Sequence, residues 1–197
     1  MSTPNLPTRD LILDAAMRLF RHQGFAATGI KSILTDSHAP YGSLYHHFPG
    51  GKSDLGVAAI RSGGEIYRQL VVDYFDNDLT IDDCVRSFFS DAAELLRSTD
   101  YRDACPIATI AMETANTDDA MRRAAAEAFQ SWIDVLASRL ERDGIDAARA
   151  DDLAVQVFCS LEGAFIHARA TRTVTAMRVA QDTTIALLHA NAIPRSH

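Results

Sequence analysis

The sequence predicts an all-α protein of nine helices, three in an N-terminal head and six in a C-terminal body. Apolar residues recur at the three- and four-residue spacing of a helix along most of the chain, and no Val-, Ile- or Thr-rich stretch alternates as a strand does. Glycine, proline and capping residues divide this pattern into segments. A chain of 197 residues is long enough to bury a sizeable core in one or two domains.

The first two helices of the head are predicted by their apolar rows and their ends. Thr8 is expected to be the N-cap of the first helix, and Gly24 is expected to end it. The second helix is predicted from about Gly29 to Ser37. The apolar positions are Leu11, Ala15 and Leu19 in one row, Ile12, Ala16 and Phe20 in another, and Ile30, Ile33 and Leu34 in the second helix.

The third helix is predicted from Tyr41 to Phe48. Pro40 is costly inside a helix, so the residues before Tyr41 are expected to form a turn. Gly50-Gly51 is expected to end the helix before Lys52. Leu44 and Phe48 lie four positions apart and are expected to face the core of the head. The remaining small, aromatic and hydrogen-bonding side chains suit a helix that enters a DNA major groove.

Six further helices are predicted in the body, each from capping residues at its start or from apolar residues at helical spacing. Thr80 with Asp83 predicts an N-cap pair, and Cys105-Pro106 predicts a helix start, since proline is favoured in a first turn. The expected ranges are a long helix from 53, then 80–98, a helix opening at 105–106, one opening at 117–119 and ending near 144, 146–169 and 173–191. The domains predicted from this division are residues 1–52 and residues 53–197.

The net charge of −7 is unevenly distributed. Residues 1–52 carry five Lys and Arg against three Asp, whereas the rest of the chain is strongly acidic. A mildly basic head can contact phosphates, and an acidic body discourages non-specific binding. Three widely spaced cysteines, no apolar run long enough for a bilayer and no signal-peptide pattern at the N-terminus predict a reduced cytoplasmic protein without metal, cofactor or membrane partner.

The head therefore predicts a helix-turn-helix that binds double-stranded DNA. The first helix of such a pair braces the second against the groove, and side chains near helix N-termini contact phosphates. An aromatic core face is the alternative reading of the third helix, and for His47 the two readings are evenly balanced. The predicted DNA contacts are Thr28, Lys31, Tyr41, Gly42, Ser43, Tyr45, His46 and Lys52.

Residues 8–55 resemble the head of TetR-family transcriptional regulators. The resemblance is carried by Ala15-Ala16, Leu19-Phe20, Gly24-Phe25, Thr28, Ile33, the run Gly42 to Phe48, and Lys52. Three segments resemble the LmrA/YxaF-type subgroup of the family: Phe48 to Lys52, Cys105 to Ala108, and Leu161 to Phe165. The resemblance implies an all-α homodimer, not an enzyme, that is usually a repressor released from a palindromic operator by a small molecule.

Three residues depart from the usual pattern of such heads. His38 stands where glycine is common in the turn, and histidine tolerates the left-handed region better than most residues. Tyr41 stands where lysine is common. This change removes a positive charge that could contact a phosphate and adds an aromatic ring. Gly29 replaces a common hydroxyl residue at the start of the second helix.

The resemblance also places a dimer seam and an effector site in the body. The seam would use the last two long helices, with candidates Leu153, Val157, Ser160, Gly163, Ala164, Thr184, Leu187 and Leu188. A small, apolar effector would lie among Phe88, Phe89, Ala92, Ile107, Ile110, Glu113, Phe129, Trp132, Leu136, Glu162 and Phe165. For any single residue of the seam, ordinary core packing is nearly as good an interpretation. For any single residue of the effector site, core packing is the better one, and only the resemblance favours a pocket.

Other functions are weaker readings of the same sequence. Cys105 at a helix start could belong to a redox sensor, although free cysteines are usually inert core residues. A metalloenzyme is disfavoured because adjacent His46 and His47 point about 100° apart on a helix. No phosphate loop, nucleophile elbow or HExxH pattern is present in the sequence. A helical protein-binding module remains open.

Overall fold

The computed structural model describes residues 7–103 and 105–191, and all regular structure in these residues is helical. The predicted all-α fold is therefore confirmed over this part of the chain. The predicted lack of a signal peptide rests on the first residues and lies outside the described ones, as do the outer ends of both predicted domains. The helices are α1 (Thr8–Gln23), α2 (Ile30–Asp36), α3 (Tyr41–His47), α4 (Lys52–Phe75), α5 (Ile81–Ser98), α6 (Pro106–Thr114), α7 (Asp119–Arg142), α8 (Ala147–Thr171) and α9 (Thr175–Asn191).

Local capping chemistry sets most of the helix ends. The Thr80 side chain accepts a hydrogen bond from the Asp83 N–H at 3.2 Å, which confirms the predicted cap pair of α5. Asp146 caps α8 through the Ala148 N–H, and Pro106 opens α6. The prediction for Thr8 is wrong: Pro7 is the N-cap of α1, and Thr8 is already helical.

Helices α1 and α2 are each followed by a residue with a positive φ angle. Gly24 follows α1 with φ +86°, and His38 adopts φ +53° in the turn between α2 and α3. The turn therefore has the backbone conformation that glycine adopts most easily. In His38 the side chain makes this conformation strained. Pro40, with its fixed φ, is the N-cap of α3 as the predicted turn requires.

The first of two compact units contains α1–α3, the start of α4, α6 and the start of α7, that is, residues up to 65 and 105–128. Two glycines let α7 lie directly against α4. A side chain at Gly64 would place its Cβ 2.8 Å from the Ala128 Cβ, and one at Gly56 would collide with Met121. The core of the head contains Ile12, Ala15, Ala16, Phe20, Ile33, Leu34, Leu44 and Phe48.

The second unit contains the end of α4, α5, the remainder of α7, α8 and α9. Its interior holds a chain of aromatic rings: Trp132 lies 6.1 Å from Phe158, Phe158 lies 6.3 Å from Phe88, and Phe88 lies 5.3 Å from Phe75. Such tilted and edge-on pairs add to the stabilisation from burying the rings.

Arg139 fastens the end of α4 inside this unit. Its side chain is 6 % exposed and donates hydrogen bonds to the backbone oxygens of Phe75 (2.9 Å), Asn77 (3.0 Å) and Leu79 (2.5 Å). It also pairs with the Asp143 carboxylate at 2.9 Å. The guanidinium thus pairs with the carbonyl group of the last residue of α4 and with two carbonyl groups of the loop that follows it.

No helix among the described residues is both long and apolar enough to pass through a membrane.

Replacing Arg139 by Met should lower the free energy of unfolding by about 3 kcal/mol, because several buried acceptors lose their donor at once. Urea denaturation followed by circular dichroism measures this change. Arg123→Met, which alters an exposed arginine of the same helix, should change the free energy by less than about 0.5 kcal/mol. Equal effects of the two substitutions would contradict the role assigned to Arg139.

Candidate nucleic-acid interface

Helix α3 is held in place by two apolar side chains. Leu44 is fully buried, and Phe48 is 2 % exposed, as its spacing predicts. The Phe48 N–H donates to the Leu44 oxygen at 2.7 Å and closes the last turn. The Arg9 guanidinium lies 5.4 Å from the centre of the Phe48 ring on the outer side. These contacts fix which face of α3 points outward.

The outward face of α3 consists of two tyrosines, a glycine and a histidine. Tyr41 is 67 % exposed and Tyr45 is 45 % exposed, and their ring centres lie 6.2 Å apart. Gly42 has open space where a Cβ would lie, so another molecule's backbone can approach closely there. His46 is exposed, while Ser43 is half-buried. Four of the predicted DNA contacts therefore share one accessible surface.

His46 and His47 lie next to each other at the C-terminal end of α3. Their rings meet edge to face with centres 4.8 Å apart, and the described residues contain no group of three His, Cys, Asp or Glu side chains arranged to hold a metal ion. His47 is half-buried and lines a groove with Phe48 and Leu13, so its ring packs against the head.

Thr28 is not available for a phosphate, which corrects the sequence-based prediction. Its side chain is completely buried; the hydroxyl donates to the Gly24 oxygen at 2.6 Å and accepts from Gln23 at 3.1 Å. Its backbone N–H donates to the Phe25 oxygen. Thr28 therefore stabilises the loop between α1 and α2, a role that spacing along the sequence does not distinguish from an exposed cap.

The two lysines of the head differ in their surroundings. Lys31 is exposed on α2 and lines a groove of about 440 Å³ together with Tyr41. The Lys52 amine lies 4.3 Å from the centre of the Phe25 ring and 3.4 Å from the Ala26 oxygen. Partial burial lowers the pKa of Lys52, and the nearby Glu113 carboxylate opposes that shift. Of the two, Lys31 is the amine more open to a phosphate.

Two carboxylates from the body sequence hydrogen-bond to the head and to the start of α4, and neither contact was predicted. Glu113, predicted to lie among the residues around the effector, accepts a hydrogen bond from the Ala26 N–H at 2.6 Å from its place on α6. Asp118 accepts hydrogen bonds from the Ser53 hydroxyl and the Met121 N–H, and these bonds lower its pKa, the one from Ser53 most. These contacts fasten the segment 113–118 to the α1–α2 loop and to the start of α4.

The other residues predicted for the effector site fall into both units. Ile107 and Ile110 are buried in the first unit. In the second, Phe88, Phe89, Trp132, Leu136 and Phe165 are buried, while Ala92, Phe129 and Glu162 are partly exposed. Trp132 pairs with Phe129 at 5.2 Å. Phe158, whose ring lies close to those of Phe88 and Trp132, was not among the predicted residues, although it is buried on the same face of α8 as Leu161 and Phe165.

Most of the predicted dimer seam faces the chain's own core, which is a correction. The side chains already covered within the single chain are Leu153, Val157, Ala164, Thr184 and Leu188, whereas Ser160 and Leu187 are half-buried and Gly163 is exposed. Helical periodicity identified the apolar stripe correctly but assigned it to a partner. The accessible apolar residues on these helices are Val155, Ile166 and Val179.

The three cysteines are not joined in disulfides in the described structure, and they lie in different settings. Cys105 is buried and caps α6, where its sulfur accepts the Ala108 N–H at 3.4 Å. Cys84 is buried beside the Arg139 guanidinium, and Cys159 is exposed on α8. Cys105 therefore has a structural role in starting the helix that carries Glu113.

Replacing Glu113 by Ala should speed hydrogen exchange of the Ala26 amide about fivefold, because the amide loses a hydrogen bond worth about 1 kcal/mol. Exchange followed by NMR resolves this single site. Glu113→Gln retains an oxygen acceptor and should preserve most of the protection. As a control, Glu127→Ala alters the exposed partner of Arg61 and should leave the amide unchanged. Unchanged exchange in Glu113→Ala would refute this contact.

The N-terminal and the C-terminal part of the chain each match a known protein family. Residues 12–59 match the bacterial regulatory proteins of the tetR family, and residues 83–183 match the C-terminal domain of LmrA/YxaF-like transcriptional regulators. The regulator LmrA of Bacillus subtilis is 32 % identical over 81 % of this chain and 85 % of its own length. An uncharacterized HTH-type regulator of Mycobacterium tuberculosis is 36 % identical over 86 % of this chain and 87 % of its own.

The fold is similar to that of solved TetR-family structures. A TetR regulator from Legionella pneumophila superimposes with a TM-score of 0.82 over 94 % of this chain and 99 % of its own, at 24 % identity. These relatives are transcriptional regulators, not enzymes. The extent of both sequence matches and the identity to LmrA show that the chain belongs to the TetR family of DNA-binding transcriptional regulators, with a C-terminal domain of the LmrA/YxaF type.

Proposed function

We propose that the chain is a cytoplasmic repressor that binds a palindromic operator as a homodimer and leaves it when a small, apolar molecule binds the body. In this proposal residues 1–52 bind DNA, and residues 53–197 bind the effector and the partner subunit. The observation that carries the proposal is the outward face of α3, where Tyr41, Gly42, Tyr45 and His46 are accessible while Leu44 holds the helix in the head.

The DNA contacts proposed from this geometry are the α3 face, Ser43 at its edge, and the Lys31 amine. A duplex that receives α3 in its major groove presents phosphates on both sides of the groove. Lys31 and Tyr41 line the same groove of the protein, so one strand's backbone can meet the lysine while the ring faces the bases. Lys52 can add a second phosphate contact if it leaves the Ala26 oxygen.

A homodimer is supported by an exposed apolar strip on α8 and α9. Val155, Cys159, Gly163 and Ile166 are exposed at positions that share one face of α8, and Val179 is 49 % exposed on α9. Apolar side chains on neighbouring helices suit a symmetric helical interface. Two heads joined through such an interface would meet two major-groove faces about 34–36 Å apart or a multiple of that.

Release by an effector requires a second state of the protein that the effector binds more tightly. The aromatic residues Phe88, Trp132 and Phe158 offer an apolar environment for such a molecule in the second unit. The contacts of Glu113 with Ala26 and of Asp118 with Ser53 link the α6–α7 segment to the head and to the start of α4. A shift of α4 that strains these contacts would change the spacing of the heads and lower the affinity for the operator.

The test is a titration of the purified protein onto labelled duplexes from its own upstream intergenic region, at two salt concentrations. Saturable, site-specific binding that weakens steeply with salt supports the proposal. Absent or salt-insensitive binding by a folded protein, on that region and on random-sequence duplexes, would overturn it. The identified duplex then serves to screen apolar compounds for release.

Replacing Lys31 by Gln should weaken binding to all duplexes alike and reduce the slope of log affinity against log salt by about two for the dimer, since each subunit loses one phosphate contact. Fluorescence anisotropy at a series of salt concentrations measures the slope. Arg123→Gln, a change at an exposed cation on α7, should leave the slope as it is. A wild-type slope in the Lys31 variant would remove this residue from the interface.

Replacing Ile166 by Arg should convert the dimer into a monomer, because a charge would be buried in the apolar seam. Analytical ultracentrifugation gives the mass. Ile66→Arg is a matched control, since both isoleucines are 57 % exposed and Ile66 lies on α4, outside the proposed seam. The proposed seam would be wrong if the Ile166 variant stayed dimeric or if both variants dissociated.

A further inference from the structure

The DNA-reading helix has an unusual set of side chains for its task. The seven residues of α3, Tyr41 to His47, include no Arg, Lys, Asn, Gln, Asp or Glu. Arg and Lys read guanine through two hydrogen bonds, Asn and Gln read adenine in the same way, and Asp and Glu accept from cytosine. The helix therefore lacks every side chain that commonly makes the base contacts with the strongest discrimination.

The accessible surface of α3 is mainly aromatic carbon. Tyr41 projects furthest, and Tyr45 stands next to it with its ring tilted by 54°. Behind Tyr45 lies the glycine turn: a Cβ at Gly51 would come within 3.3 Å of the Tyr45 ring. The two rings thus form a ridge in which Tyr45 is braced by the protein and Tyr41 is the leading edge. Gly42, beside the ridge, leaves room for the bases to approach.

Thymine offers the apolar group that such a ridge can recognise. In the major groove, the 5-methyl group of thymine is the apolar feature of the base-pair code, whereas the other bases present hydrogen-bond donors and acceptors. Lys31 is the one residue with a fixed positive charge among those lining the groove beside Tyr41, and a phosphate held there would place a neighbouring base edge against the ring.

We infer that Tyr41 reads the operator through thymine methyl groups, so that the preferred half-site carries thymine where the leading edge of α3 meets the bases. This inference rests on the proposed DNA-binding function and specifies its recognition chemistry. Single hydrogen bonds from Ser43, Tyr45 or His46 add to this contact. The discrimination comes from methyl groups packed on the Tyr41 ring.

The experiment replaces thymine by deoxyuridine in the operator identified by titration. This exchange removes the methyl group and leaves the base pairing and the O4 acceptor in place. Burial of one methyl group is worth about 0.8 kcal/mol, or about fourfold in affinity. With one contacted thymine in each half-site, the wild-type dimer should therefore lose about 15-fold in affinity when both are replaced.

Two variants assign the effect to Tyr41. Tyr41→Ala should bind the thymine operator more weakly and show no further loss with deoxyuridine. Tyr41→Phe keeps the carbon face and should retain the full sensitivity. Because Tyr41 is exposed, both variants should fold, and circular dichroism checks this. The inference is overturned if the wild type is indifferent to deoxyuridine, or if the loss persists undiminished in Tyr41→Ala. A lack of site-specific binding by the wild type would instead refute the proposed function itself.

Discussion

A helix of seven residues is too short to be stable in water alone, so the proposed DNA-binding face of α3 depends on how the helix is anchored. Leu44 and Phe48 provide that anchor by inserting into the core formed by α1 and α2. Because these residues lie four positions apart on a single face, their burial leaves Tyr41, Gly42, Tyr45 and His46 pointing outward. The functional surface is thus a consequence of core packing, and the capping Pro40 and the left-handed His38 set where the helix begins.

The chain combines a basic head with a strongly acidic body, and two acidic residues of the body contact the head and the first turn of α4. Glu113 and Asp118 accept hydrogen bonds from the Ala26 N–H and the Ser53 hydroxyl, respectively. Ala26 lies in the loop after α1, and Ser53 lies in the first turn of α4. The head is therefore stabilised by sequence more than fifty residues away, which gives a physical route by which a change in α6 or α7 can reach the DNA-binding surface.

Features governed by neighbours in sequence were predictable, and features governed by distant contacts were not. The Thr80 cap, the Pro106 helix start and the left-handed His38 all follow from local conformational preferences. The roles of Thr28 and Glu113 depend on which group each side chain meets after folding. Periodicity also identified the buried stripe of α8, but a helix that packs on both α5 and α9 buries residues that the pattern alone would equally assign to a partner.

The central claim is that the face of α3 bearing Tyr41 enters the major groove. A crystal structure of the protein bound to its operator duplex tests this claim most directly. The account predicts α3 lying in the groove, with the Tyr41 ring within about 4 Å of a thymine methyl group and the Lys31 amine beside a phosphate. A complex in which α3 faces solvent, or in which Tyr41 touches only the sugar–phosphate backbone, would contradict it.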